Sequence, residues 1–106
     1  MENFVRVASI DDLSEGEIIP VEVDGEPILL SNVEGTIYAI GGLCSHEEAP
    51  LSEGYLTGTE LECPWHGSVF DLQTGESTCP PAIDPVPKYT VRIDGSDILV
   101  RLPSIE

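Results

Sequence analysis

Apolar and polar residues alternate over positions 4–8, the two-residue period of a half-buried strand. Further strand-like stretches follow over 17–23, 27–32 and 36–40, then in short pieces at 55–56, 60–63 and 68–71, and finally over 89–93 and 98–102. Turn residues punctuate every gap. Asp24-Gly25, Val33-Glu34-Gly35, Thr57-Gly58-Thr59, the 73–76 stretch and Asp94-Gly95-Ser96 each join neighbouring strands as hairpins. Residues 9–13 predict a single helical turn with Ser9 as its N-cap, closed by Gly16. Pro20 lacks a backbone donor, so its strand is expected at a sheet edge or at a bulge. Residues 79–87 hold four prolines and predict a stiff covering loop. The sum is about eight to ten short strands, which predicts an all-β, antiparallel sandwich or barrel.

A chain of 106 residues is one domain, 1–106. Within it, 1–40 and 82–106 form a base of hairpins, and about 41–81 form an inserted lobe carrying the chemistry. The N-terminus has neither a basic region nor a long apolar run, so a cytoplasmic protein without a membrane segment is expected. Twenty acids against four Lys and Arg give a net charge of -16. Nucleic acid is thereby disfavoured, because phosphate binding needs basic patches. A basic protein partner is the natural complement of such a surface, and a well-solvated exterior is the plainer account of it. The three cysteines are an odd number, which argues against a disulfide framework.

The chemistry is concentrated in residues 44–66. Both histidines and two of the three cysteines lie there, as Cys44-Ser45-His46 and Cys63-Pro64-Trp65-His66. Thiolates and neutral imidazoles are borderline-to-soft metal ligands. Two of each can complete a tetrahedral zinc site or hold an iron–sulfur cluster. The common zinc arrangement places both cysteines before both histidines. Here each pair is mixed. That order suits two facing loops that each give one ligand to each iron of a two-iron cluster. Cys79 is left over and is expected to be a small buried apolar residue.

Cys44-x-His46 followed by Cys63-Pro64-x-His66-Gly67-Ser68 resembles the two-loop signature of Rieske 2Fe-2S proteins, and the resemblance extends over most of the chain. It implies stacked antiparallel sheets with a small cluster subdomain. It also implies one 2Fe-2S cluster held by Cys44, His46, Cys63 and His66, the thiolates on one iron and the imidazoles on the other. Neutral imidazoles leave such a cluster about two charge units less negative than an all-cysteine one, so it accepts an electron more readily. Gly42 and Gly67 are expected to aim N–H groups at the sulfurs, with Pro64 stiffening the second loop. Leu43, Leu51, Trp65, Pro80 and Pro81 are expected to screen the cluster from water. The acids beside the first loop, Glu47, Glu48 and Glu53, are candidates for partner contact.

High-potential members of the family carry an extra cysteine in each loop, paired as a disulfide. Ala49 and Trp65 stand at those positions here, so that bridge is absent. Where those members place a tyrosine near a ligand sulfur, this chain has Phe70; Ser68 remains as a hydroxyl donor. Fewer hydrogen bonds to sulfur favour a low-potential, ferredoxin-like centre.

The chain has no dinucleotide fingerprint and no further histidines for a mononuclear iron site, so it is expected to be an electron carrier, not an enzyme. It resembles the ferredoxin component of multicomponent ring-hydroxylating dioxygenase systems. That implies a monomer shuttling electrons from a flavin-dependent NAD(P)H ferredoxin reductase to a terminal non-haem iron oxygenase. Its rivals are a Rieske carrier or subunit of another oxidoreductase system and a zinc-stabilised binding module.

Overall fold

The computed structural model describes residues 4–23, 25–44, 50–65, 67–79 and 85–101. Ten strands occur among them: β1 (Phe4–Ser9), β2 (Ile18–Val23), β3 (Glu26–Val33), β4 (Thr36–Gly41), β5 (Tyr55–Thr57), β6 (Glu60–Glu62), β7 (Val69–Asp71), β8 (Ser77–Cys79), β9 (Lys88–Asp94) and β10 (Asp97–Arg101). The helical content of the described residues is two single 3-10 turns, Ile10–Asp12 and Leu51–Glu53. None of those residues forms a helix long and apolar enough to cross a membrane.

Every strand pair is antiparallel. Six strands form one sheet in the order β1-β10-β9-β4-β3-β2, and its two edge strands lie beside each other, so the sheet curls into a nearly closed barrel. The second sheet holds the four three-residue strands in the order β5-β6-β7-β8. Pro20 lies on β2, an edge strand of the larger sheet, the position its missing donor favours.

Local chemistry explains the connections. Val33 pairs with Thr36 across Glu34 and Gly35, both at positive φ (53° and 92°), the two-residue turn whose twist matches its strands. Ser9 caps the first 3-10 turn: its hydroxyl accepts from the Asp11 N–H, while the Asp12 carboxylate accepts from the Ser9 N–H. That turn stops at Asp12, before Gly16. A buried Asn32 side chain then holds the chain around it. It donates to the Leu13 carbonyl at 2.9 Å and accepts from the Gly35 N–H at 2.9 Å.

The alternation along β3 separates two cores. Ile28 and Leu30 point into the barrel with Leu13, Ala39, Tyr89, Ile98 and Val100. Leu29 points the other way and, with Ile40, meets Leu51, Leu61, Phe70 and Leu72 from the lobe side. β3 is thus buried on both faces, which is why it reads as a continuous apolar run at its centre.

Two expectations need correction. Residues 77–79 form β8, so the proline-rich loop starts later than residue 79. Three polar or small residues carry no periodic signal; pairing with β7 is what makes them a strand. Cys79, expected to be buried, is exposed. A register shift between β7 and β8 brings Cys79 opposite Val69, in the outward-facing row of the sheet.

Candidate metal centre

The two cysteines of the paired motifs leave different sheets. Cys44 follows β4 of the six-stranded sheet, and Cys63 follows β6 of the four-stranded one. Both are 2% exposed and both belong to the same buried cluster of side chains. None of the three cysteines is in a disulfide. His46 and His66 lie outside the described residues, as do Glu47, Glu48, Ala49, Pro80 and Pro81.

Backbone hydrogen bonds shape the neck of each loop. At the first, the Gly42 N–H donates to the Pro27 carbonyl at 2.9 Å and the Leu51 N–H to the Gly42 carbonyl at 2.9 Å. Leu43 and Pro50 face each other as a single antiparallel bridge, closing the loop between them. At the second, the Cys63 N–H donates to the Ser68 carbonyl at 2.6 Å, and the Gly67 N–H reaches the Cys63 carbonyl at 3.3 Å. Gly42 and Gly67 therefore donate to carbonyl oxygens, of Pro27 on β3 and of Cys63, a correction to the expectation that they point at sulfur. Ser68 is fully buried beside Cys63 in this turn.

The apolar surroundings divide in a way the sequence does not show. Leu51 is fully buried, as a screening residue must be. Leu43 and Trp65 are instead 37% and 55% exposed. Each sits on the rim of its loop neck and not in the core beneath it. Val86, which sequence reasoning left inside the covering loop, is buried in the same cluster as the two cysteines. Its N–H donates to the Gly75 carbonyl at 2.8 Å, and the Pro87 carbonyl accepts from the Gly41 N–H at 2.8 Å. Residues 85–87 thus strap the lobe to the strand that leads into Cys44. An apolar residue between two prolines was the only available signal.

Two unbridged, buried cysteines in one apolar cluster, each just past the end of its own strand, are a donor set that fits the thiolate half of a two-iron cluster.

Residues 3–90 match the Rieske [2Fe-2S] domain family. The chain is 39% identical over 101 residues to the ferredoxin component of the naphthalene 1,2-dioxygenase/salicylate 5-hydroxylase systems of Ralstonia sp., covering 95% of this chain and 97% of that one. Among solved structures it is similar to the ferredoxin of carbazole 1,9a-dioxygenase from Nocardioides aromaticivorans IC177, with a TM-score of 0.89, 41% identity and coverage of 92% and 96%. It is also similar to a chain in the complex of reduced oxygenase and oxidised ferredoxin in carbazole 1,9a-dioxygenase, with a TM-score of 0.88, 30% identity and coverage of 95% and 94%. These matches favour the cluster over the zinc alternative, and they run nearly end to end on both sides. The chain belongs to the Rieske [2Fe-2S] family, as a one-cluster ferredoxin that carries electrons and is not itself a catalyst.

Proposed function

We propose that this ferredoxin delivers single electrons to a terminal oxygenase that hydroxylates an aromatic ring, and receives them from a flavin-dependent NAD(P)H ferredoxin reductase. The observation that carries the reading is the near end-to-end similarity to ferredoxins of naphthalene and carbazole dioxygenase systems, one of them in a complex with its oxygenase. In this reading Cys44 and Cys63 supply two thiolates to one iron, and His46 and His66 supply two imidazoles to the other. The lobe at about 41–81 carries the site on a base made of 1–40 and 82–106. The protein acts as a cytoplasmic monomer.

A 2Fe-2S cluster held by Cys44, His46, Cys63 and His66 would supply the one-electron chemistry. The chain's own residues do the rest. Cys44 and Cys63 hold their sulfurs away from water. The hydrogen bonds that close each loop fix the positions of those sulfurs before any partner arrives. Leu51, Leu61 and Phe70 pack beneath them and keep the environment apolar.

The test is reconstitution. Purified ferredoxin, a flavin ferredoxin reductase, NADH and a naphthalene or carbazole dioxygenase terminal component are combined, and hydroxylated product is measured. Turnover that requires the ferredoxin supports the reading. A cluster that the reductase reduces but no aromatic oxygenase reoxidises would refute the oxygenase assignment and favour another oxidoreductase system. Cys63→Ser should abolish the visible absorbance of the cluster while the barrel strands remain folded; full absorbance in that variant would remove Cys63 from the ligand set.

A further inference from the structure

Charge is segregated along this chain. Its four cations, Arg6, Lys88, Arg92 and Arg101, all lie on β1, β9 and β10. Positions 7–87 contain no Lys or Arg, while sixteen of the twenty acids fall there. One side of the barrel is therefore close to neutral, with Arg6 already paired to Asp97 at 2.8 Å. The whole four-stranded sheet lies in the segment that is anionic and without cations.

The inner row of that sheet, Leu56, Leu61 and Phe70, is turned toward the core. Its outer rows are Tyr55, Glu62 and Val69, and Thr57, Glu60 and Asp71, by strand register. Tyr55 is 63% exposed, which is unusual for a large aromatic ring. Tyr55, Thr57, Glu60, Glu62 and Val69 line a depression of about 190 Å³. Its lining thus combines an aromatic ring, an isopropyl group and two carboxylates. The Glu62 side chain leans over the second loop: its Oε2 lies 3.8 Å from where a Cβ on Gly67 would sit.

We propose that this outer face is a docking surface that receives a lysine or arginine side chain from a cationic redox protein, beside the second loop. The inference rests on the electron-carrier reading and adds the chemistry of the partner. A long cationic side chain matches each feature of the depression. Its alkyl stem packs on Val69 and Tyr55, its charge meets Glu60 and Glu62, and the aromatic face adds a cation–π attraction. None of the described residues that line it is a lysine or arginine. A second copy of the chain is a poor occupant, because two molecules of charge -16 repel. The tyrosine and the acids also divide the labour: the ring provides contact area, and the charges provide steering.

Horse-heart cytochrome c, a basic redox protein, serves as the probe. The cluster-loaded ferredoxin is reduced and mixed with ferricytochrome c, so that one electron leaves the ferredoxin and reduces the haem iron. The second-order rate constant is followed at several salt concentrations, and binding of the two oxidised proteins is measured by calorimetry. Glu60→Gln/Glu62→Gln and Tyr55→Ala are compared with Glu15→Gln/Glu34→Gln, which removes the same charge from the anionic segment at an exposed site. Midpoint potentials are measured for all four proteins, so that driving force is accounted for. At low salt, both docking-face variants should weaken binding and slow transfer at least fivefold, and Glu60→Gln/Glu62→Gln should also flatten the salt dependence. The control pair should change either quantity less than twofold. Equal effects in Glu60→Gln/Glu62→Gln and in the control pair would overturn the docking face, leaving only a general effect of net charge. If the unmodified ferredoxin binds the probe through this face but transfers no electron, the carrier reading fails while the docking face stands.

Discussion

Gly54→Ala is expected to damage the lobe out of proportion to the single methyl group it adds. Gly54 has φ -87° and ψ -163°, a conformation any residue adopts, so backbone strain is not the issue. Close approach is. A Cβ there would lie 2.1 Å from the Glu62 carbonyl oxygen and 3.1 Å from that of Leu51, where ordinary contact begins near 3.4 Å. The obstacle is backbone on both sides and cannot rotate away. Glu62 precedes Cys63 and is paired with Tyr55, so relieving the clash means moving β5 off β6 at the mouth of the second loop. Overpacking of this kind costs about 1–3 kcal/mol, and a backbone obstacle belongs at the upper end. For a domain of this size about 3 kcal/mol lowers Tm by roughly 12 °C or more. Gly58→Ala is the comparator. Gly58 has φ 59° with open space around it, so alanine there meets only left-handed strain, about 1 kcal/mol. Thermal unfolding followed by circular dichroism, with cluster absorbance recorded in parallel, separates the two. Gly54→Ala should melt well below Gly58→Ala and lose cluster absorbance first. If the two variants melt within a few degrees of each other, the tight approach of Gly54 to β6 is wrong.

Three further outcomes follow from buried groups and from the loops. The Ser31 hydroxyl is fully buried and has no hydrogen-bond partner among the described residues, so Ser31→Ala should raise the urea midpoint by the equivalent of about 1 kcal/mol; a clear loss of stability would show that the hydroxyl is satisfied. Burial, and then the nearby Glu26 carboxylate, push the Tyr89 phenol above its usual pKa of 10.0. The unfolded chain therefore ionises first, and this contribution to stability is complete below pH 10 and lost as pH rises through the higher folded value. Tyr89→Phe should show a shallower fall in denaturation midpoint above pH 10, and an unchanged slope would refute the shift. With Ala49 and Trp65 at the bridge positions and Phe70 in place of a tyrosine, redox titration should place the cluster near the low end of the Rieske range, about -150 mV; a strongly positive midpoint would contradict the account of sulfur hydrogen bonding.

The larger sheet was readable because its strands are long enough to display a period. β1 and β9 alternate visibly, and the turns between strands carry glycine where positive φ is needed, as at Gly35 and Gly95. The edge position of β2 was readable from Pro20 alone. The small sheet was harder to read. Its strands have three residues each, too few for periodicity, and β8 is Ser-Thr-Cys with no apolar marker. Tertiary pairing decides its existence, and the register shift at its start decides that Cys79 faces outward. The chemistry of the motifs was legible from residue types and order. The rim was not: Leu43 and Trp65 are apolar like Leu51, and only the packing shows that one is buried and two are exposed.

This division bears on what the cluster does for the fold. Strands of three residues make a sheet that cannot stand by itself in water. The four-stranded sheet is held to the barrel by Leu51, Leu61, Phe70 and Leu72 packing on Leu29 and Ile40, and by the strap at residues 85–87. The proposed thiolate ligands fall on either side of this seam, Cys44 at the end of a barrel strand and Cys63 at the end of a lobe strand. A metal centre that takes one ligand pair from each loop would then cross-link the two sheets at the seam's outer end, where the apolar contacts stop. Its binding free energy would be folding free energy for the lobe, while the barrel, with its own core, would depend on it far less. The same placement serves electron transfer. A redox centre so held would be fixed to the barrel through one loop and to the small sheet, with its proposed docking face, through the other.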